Sequence, residues 1–121
     1  MLKVHAKNRG SMGILYLQGR LVNGDTDVLR KAVSSLTKVR TITLDLARVT
    51  AVDARGLGVM LELREQAEAN GIRFELMNVT KWVRRVLEVT QLDSVFQISS
   101  PAVEFSAISE SRRAIRPALA A

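Results

Sequence analysis

Residues 41–77 read TITLDLARVTAVDARGLGVMLELREQAEANGIRFELM. The run Thr41 to Leu46 is rich in Thr, Ile and Leu and flanked by basic residues, which predicts a central strand. Val49 to Val52 follows as a short apolar link. Asp53-Ala54-Arg55-Gly56-Leu57-Gly58 then opens a helical pattern. In it Leu57, Met60, Leu61 and Arg64 fall three or four apart, with Glu65 and Glu68 on the outer face. Asp53 stands where a carboxylate accepts from the free amides of a first helical turn. Asn70-Gly71 is a stop signal, because glycine takes the left-handed conformation at little cost. Ile72 to Met77 is strand-like again. Strand, helix and strand in immediate succession place the chain in the α/β class.

Working outward, the N-terminal segment alternates. Leu2, Val4 and Ala6 interleave with Lys3, His5 and Lys7, the pattern of a strand with one wet face. Asn8-Arg9-Gly10-Ser11 reads as a turn, and Gly13 to Gln18 as a second strand that either pairs with the first as a hairpin or neighbours it in one sheet. Gly19 and Asn23-Gly24 punctuate the chain. Asp25, Thr26 and Asp27 mark a helix start, where side-chain oxygens cap amides and acids suit the positive dipole end. That helix extends to about Thr37, with Val28, Leu29, Ala32, Val33 and Leu36 on its apolar stripe. Beyond Met77, Thr80 caps a third helix whose buried stripe is Trp82, Val83, Val86 and Leu87. Leu92 to Ile98 supplies a turn and a short last strand. These elements predict a mixed β-sheet with helices packed on it, in one domain over residues 1–99. Residues 100–121 form a tail rather than a second domain, either partly ordered, as its Ser, Ala and Arg content suggests, or carrying a short helix over Ser109 to Arg116 that ends before Pro117.

Composition narrows the function. The chain has 121 residues, 47% hydrophobic and 25% charged, as expected of one folded domain. Its aromatics are Tyr16, Phe74, Trp82, Phe96 and Phe105, so Leu, Val, Ile and Ala must build the core. Cysteine is absent, which removes disulfides, thiolate metal sites and a Cys nucleophile, and fits a reducing compartment. No apolar run approaches a membrane span. The charges of Met1-Leu2-Lys3-Val4-His5 do not suit a signal peptide, so a cytoplasmic location is expected. Eighteen Lys and Arg against twelve Asp and Glu give a net charge of +6. The basic residues are spread along the chain, and the densest cluster is Lys81, Arg84 and Arg85. With Trp82 assigned to the core, no aromatic platform accompanies that cluster. A solvated face is the favoured reading, and no nucleic-acid partner is expected.

The search for chemistry returns little. Gly56-Leu57-Gly58 resembles the start of a dinucleotide fingerprint, but Leu61 stands where its last glycine belongs. The two glycines read better as a close approach of helix to sheet. Asp45 and Asp53 are eight residues apart and both fall near one sheet end. Without a third acid or a nearby histidine they support neither metal binding nor acid–base work. The only histidine, His5, lies on the wet face of the first strand. No catalytic, cofactor or metal site is expected.

The run Val49-Thr50-Ala51-Val52-Asp53-Ala54-Arg55-Gly56-Leu57-Gly58-Val59-Met60-Leu61 resembles the signature of STAS domains, the fold of bacterial anti-sigma factor antagonists. The resemblance continues through Asn70-Gly71, Leu76-Met77-Asn78-Val79 and Val83 to Thr90, and ends in Gln91 to Phe96. Gly19-Arg20-Leu21-Val22-Asn23-Gly24 looks like the family's link into its first helix. The order and spacing of these pieces over residues 2–99 make the likeness specific.

The resemblance implies a mixed β-sheet with helices mainly on one side, and a binding module rather than an enzyme. It implies docking on an ATPase-fold anti-sigma factor, often also a serine kinase, which releases a sigma factor. The implied partner surface is Asn23, Gly24 and Asp25 together with Asp53, Ala54, Arg55, Gly56, Leu57 and Gly58, and the exposed face of the second helix. Gly56→Trp or Arg55→Glu is then expected to abolish docking with the fold intact. In the family, phosphorylation of the residue after the Asp weakens docking. Here that residue is Ala54, which has no hydroxyl. Thr50 lies nearby but reads as a β-branched strand residue. An alternative from the same resemblance is a STAS subunit of a lipid-transport ABC complex, or a signalling scaffold. No membrane insertion is expected, and a homodimer through an exposed strand edge is a further expectation.

Overall fold

The computed structural model describes residues 1–99. The expected helix over Ser109 to Arg116, and Phe105, lie outside the described residues. In chain order the elements are β1 (Leu2–Arg9), β2 (Met12–Leu21), α1 (Thr26–Ser34), β3 (Thr41–Val52), α2 (Ala54–Ala69), β4 (Arg73–Met77), α3 (Lys81–Val89) and β5 (Gln97–Ser99). They form one five-stranded sheet in the order β1-β2-β3-β4-β5. β1 and β2 are an antiparallel hairpin, and the remaining neighbours are parallel, each joined through one helix. The sheet is therefore mixed.

Register decides which side chains meet the helices. Ala6, Leu15, Leu44, Leu76 and Ile98 fall in one cross-strand row. Leu15, Leu44 and Leu76 are fully buried, in one core with Leu29 of α1, Met60 and Leu63 of α2, and Val83 and Leu87 of α3. Side chains alternate across a strand, so the neighbouring row of Lys7, Ile14, Thr43, Glu75 and Gln97 faces the other way. All three described helices serve the first face. Leucine and valine dominate the core, while Phe74 and Phe96 sit together at its β4–β5 end, with ring centroids 6.4 Å apart.

Three elements differ from the sequence reading. β3 does not stop at Leu46 but continues through the supposed link to Val52, pairing with Gly19 to Leu21 of a longer β2. The alternation was broken by a bulge. Between the pairs Tyr16–Asp45 and Gln18–Arg48, β3 has one more residue than β2. Asp45 Oδ1 accepts from the amide of Ala47 at 2.9 Å, and its Oδ2 accepts from Asn78 Nδ2 at 3.0 Å. Gly19, read as punctuation, sits within β2 at φ +113°, beside a second register shift. α1 ends at Ser34, short of Thr37. The hydroxyl of Ser35 donates to Ala32 O at 2.6 Å, competing with the helical ladder.

Two buried-stripe assignments are corrected. Val28 is exposed, and Trp82 keeps 77% of its surface in solvent. α3 buries only Val83 and Leu87 fully, so its core-facing stripe is narrower than the apolar pattern suggested. Its N-cap is as expected, with Thr80 Oγ1 accepting from the Val83 amide at 3.3 Å.

Candidate functional site

The parallel strands β2 and β3 end side by side, and their C-terminal ends feed α1 and α2. This is where open α/β sheets expose loops and helix starts together. β2 leaves the sheet at Leu21, and the link turns through Val22 to Asp25, whose amide donates to Val22 O at 3.0 Å. β3 leaves at Val52, and Asp53 starts α2 immediately.

Asp53 joins the two exits. It has extended backbone, and its Oδ1 accepts from the Gly56 amide at 2.9 Å, capping α2. Its Oδ2 accepts from the Asn23 amide, also at 2.9 Å. The same residue's own amide donates to Leu21 O at 3.3 Å. The Asn23 amide, and then that of Gly56, hold the Asp53 carboxyl below its ordinary value, because both bonds favour the charged form. The sequence supplied the cap; the second arm, to Asn23, is invisible without the sheet pairing.

Gly56 is buried at this junction. A Cβ there would stand 2.1 Å from Leu21 O, so only glycine lets α2 begin this close to the end of β2. The expectation that Gly56→Trp spares the fold is therefore corrected. Leu57 is 7% exposed and belongs to the core. Ala54, Arg55 and Gly58 are exposed, as are Asn23 and Gly24, while Asp25 is partly buried. The structure thus brings Asn23, Gly24 and Asp25 against the start of α2, with Gly56 and Leu57 lying behind the surface.

Asp25 occupies the N-cap position of α1, but its side chain makes no capping bond, contrary to the sequence reading. Its backbone is helical rather than extended, which aims the carboxylate away from the first-turn amides. The Asp25 carboxylate instead lies 3.9 Å from the Met1 amino group. Beyond the rim, Arg30 of α1 forks onto Glu62 of α2, with Nε 3.1 Å from Oε2 and Nη2 3.2 Å from Oε1. Arg30 Nη1 also reaches Asp27 Oδ1 at 2.9 Å. Pairing with Arg30 lowers the Glu62 carboxyl, and the two acids raise the guanidinium. This fork bridges the two helices behind the rim.

Other candidates separate from this place. Asp45 serves the β3 bulge, while Asp53 serves the rim, so they do not form a carboxylate pair. Thr50 is an exposed strand residue whose hydroxyl donates to Gly19 O at 3.3 Å. His5 is exposed on β1, beside Tyr16. No group of three potential metal ligands converges among the described residues. None of their helices is long and apolar enough to cross a membrane. The rim offers backbone edges, the Arg55 guanidinium and the exposed start of α2.

A sequence profile described as "Mlab, STAS domain" matches residues 4–98. A STAS-domain containing protein of Pseudomonas aeruginosa (strain UCBPP-PA14) is 29% identical over 86 residues, covering 70% of this chain and 85% of the relative. Among solved structures, an anti-sigma factor antagonist from Mycobacterium paratuberculosis superposes with a TM-score of 0.74 at 15% identity, covering 91% of this chain and 96% of that one. The anti-sigma factor antagonist SpoIIAA in its unphosphorylated form superposes at 0.68 with 22% identity, covering 94% and 100%. These likenesses show a shared fold. This chain also matches the Mglu structure at 30% identity and a TM-score of 0.56, covering 60% of its own length but only 18% of the Mglu chain.

Proposed function

Since the chain belongs to the STAS domain family, we propose that it is a regulatory protein-binding module of the anti-sigma factor antagonist type, docking on an ATPase-fold anti-sigma factor. The observation that carries this reading is the Asp53 clamp. One carboxylate ties the Asn23 link to the start of α2 and so makes a single preformed rim of Asn23, Gly24, Asp25, Ala54, Arg55 and Gly58. Preformed surfaces lose less entropy on binding. Gly58 adds to the fit, since a Cβ there would meet nothing within 4 Å and a partner can approach the helix backbone.

Ala54 sets the regulation. It is the first residue of α2, where a phosphate would add up to two negative charges to the docking face. Without a hydroxyl, that switch is absent, and the rim stays competent to dock. The same observation favours a second reading, a permanently assembled subunit on the ATPase of a lipid-transport ABC complex, since a structural subunit needs no release.

The test is capture of the partner from the source organism, followed by measured affinity for the purified partner. Recovery of an ATPase-fold anti-sigma factor, with binding weakened by Arg55→Glu and by Ala54→Glu, supports the proposal. An ABC-transporter ATPase with the same sensitivities supports the second reading. Unchanged affinity in both variants would remove the rim from either.

A further inference from the structure

We propose that α3 carries a separate docking surface for an acidic, apolar segment of a partner protein, with Trp82 as its anchor. This surface does not depend on the role proposed for the Asp53 rim. Trp82 and Val89 are 77% and 72% exposed. At positions i, i+4 and i+7, Trp82, Val86 and Val89 fall on one helical stripe, which runs from the exposed Trp82 and Val89 to Val86, partly buried beside the Val83–Leu87 face that enters the core. An exposed tryptophan on an unpartnered stripe is informative in a way that scattered surface leucines are not.

The indole is a ridge between two hollows. On one side lie Lys81, Arg84, Arg85 and Glu88. On the other, Thr50, Ala51 and Val52 at the end of β3 face Val83, Arg85 and Val86 across a groove with an apolar floor. Val83 at that floor is almost fully buried. Among the described residues no ion pair engages Lys81, Arg84 or Arg85. The helix thus presents three basic groups and one acid around an apolar slot.

This chemistry selects the occupant. An aliphatic side chain fits the recessed groove, and carboxylates beside it meet the Arg84 and Arg85 forks in charge-assisted bonds. Tryptophan and arginine are the residue types that most often dominate protein interfaces. A bilayer would reach the protruding indole but not the groove floor. A second copy of α3 would bring like charges together.

Trp82 is the only tryptophan in the chain, so its emission reports on this surface alone. The full-length chain is panned against a display library of random peptides, and enriched peptides are synthesised and titrated against it. The expected peptides carry Asp or Glu beside Leu, Ile or Val, and shift Trp82 emission to the blue on binding. By calorimetry, Trp82→Ala weakens them roughly thirtyfold or more, Arg84→Glu with Arg85→Glu weakens them about tenfold or more, and Lys38→Glu leaves them unchanged. The proposal is overturned if no acidic peptide is enriched. It is equally overturned if the blue shift comes instead with phosphatidylglycerol vesicles, or with self-association in the absence of peptide. Each of these results is independent of whether the Asp53 rim finds its ATPase-fold partner.

Discussion

Asn23 and Gly56 lie far apart in sequence, yet both donate to Asp53, which makes this residue the most informative single position to change. Its folded carboxyl titrates below the unfolded one. The stability it contributes is therefore present above about pH 4 and lost as pH falls through the folded value. Asp53→Asn is expected to destabilise the protein at neutral pH, with its gap to wild type narrowing as the pH is taken down from about 4 through the folded value, as urea melts across that range will show. The two glycines of the signature should respond in opposite directions. Gly56→Ala forces a methyl against Leu21 O and should cost roughly 1–3 kcal/mol. Gly58→Ala has open space and should stabilise the helix by about 0.5–1 kcal/mol. Equal effects in thermal melts would refute this division between a packing glycine and a surface glycine.

Among the elements, β3 has the most at stake, because both its faces are buried through Ile42 to Leu46. Thr43 lies on the face away from the helices, 3% exposed, and its hydroxyl has no partner. A buried unsatisfied hydroxyl is costly, so the isosteric Thr43→Val should stabilise by about 1 kcal/mol. A lowered Tm would mean that the hydroxyl is satisfied in solution. The cap of α3 is a weaker device. Thr80 accepts from Val83 at 3.3 Å, a long bond, so Thr80→Ala should cost about 0.5–1 kcal/mol, measured by the same melts.

At the scale of the whole fold, the sheet formed by the described residues has two edges. β5 is only three residues long, whereas β1 offers eight. Lys3, Lys7 and Arg9 project from one face of β1, a charge pattern that discourages edge pairing. A homodimer through β1 would place these groups close together. If it forms, it should strengthen as salt screens them, and sedimentation velocity at low and high ionic strength tests this.

The α/β class, the order of the eight elements, the Asp53 and Thr80 caps and the signature around Gly56 were legible in the sequence. Each is written locally, in periodicity, capping chemistry or residue spacing. The length of β3 was not, because its bulge breaks the alternation and is stabilised by Asp45 and by pairing with a distant strand. Nor was the second arm of the Asp53 clamp, which exists only because β2 and β3 end together. The fate of Trp82 was likewise undecided by pattern. It shares the apolar spacing of Val83 and Leu87, but only packing against the sheet determines which part of a wide stripe becomes core and which remains on the surface.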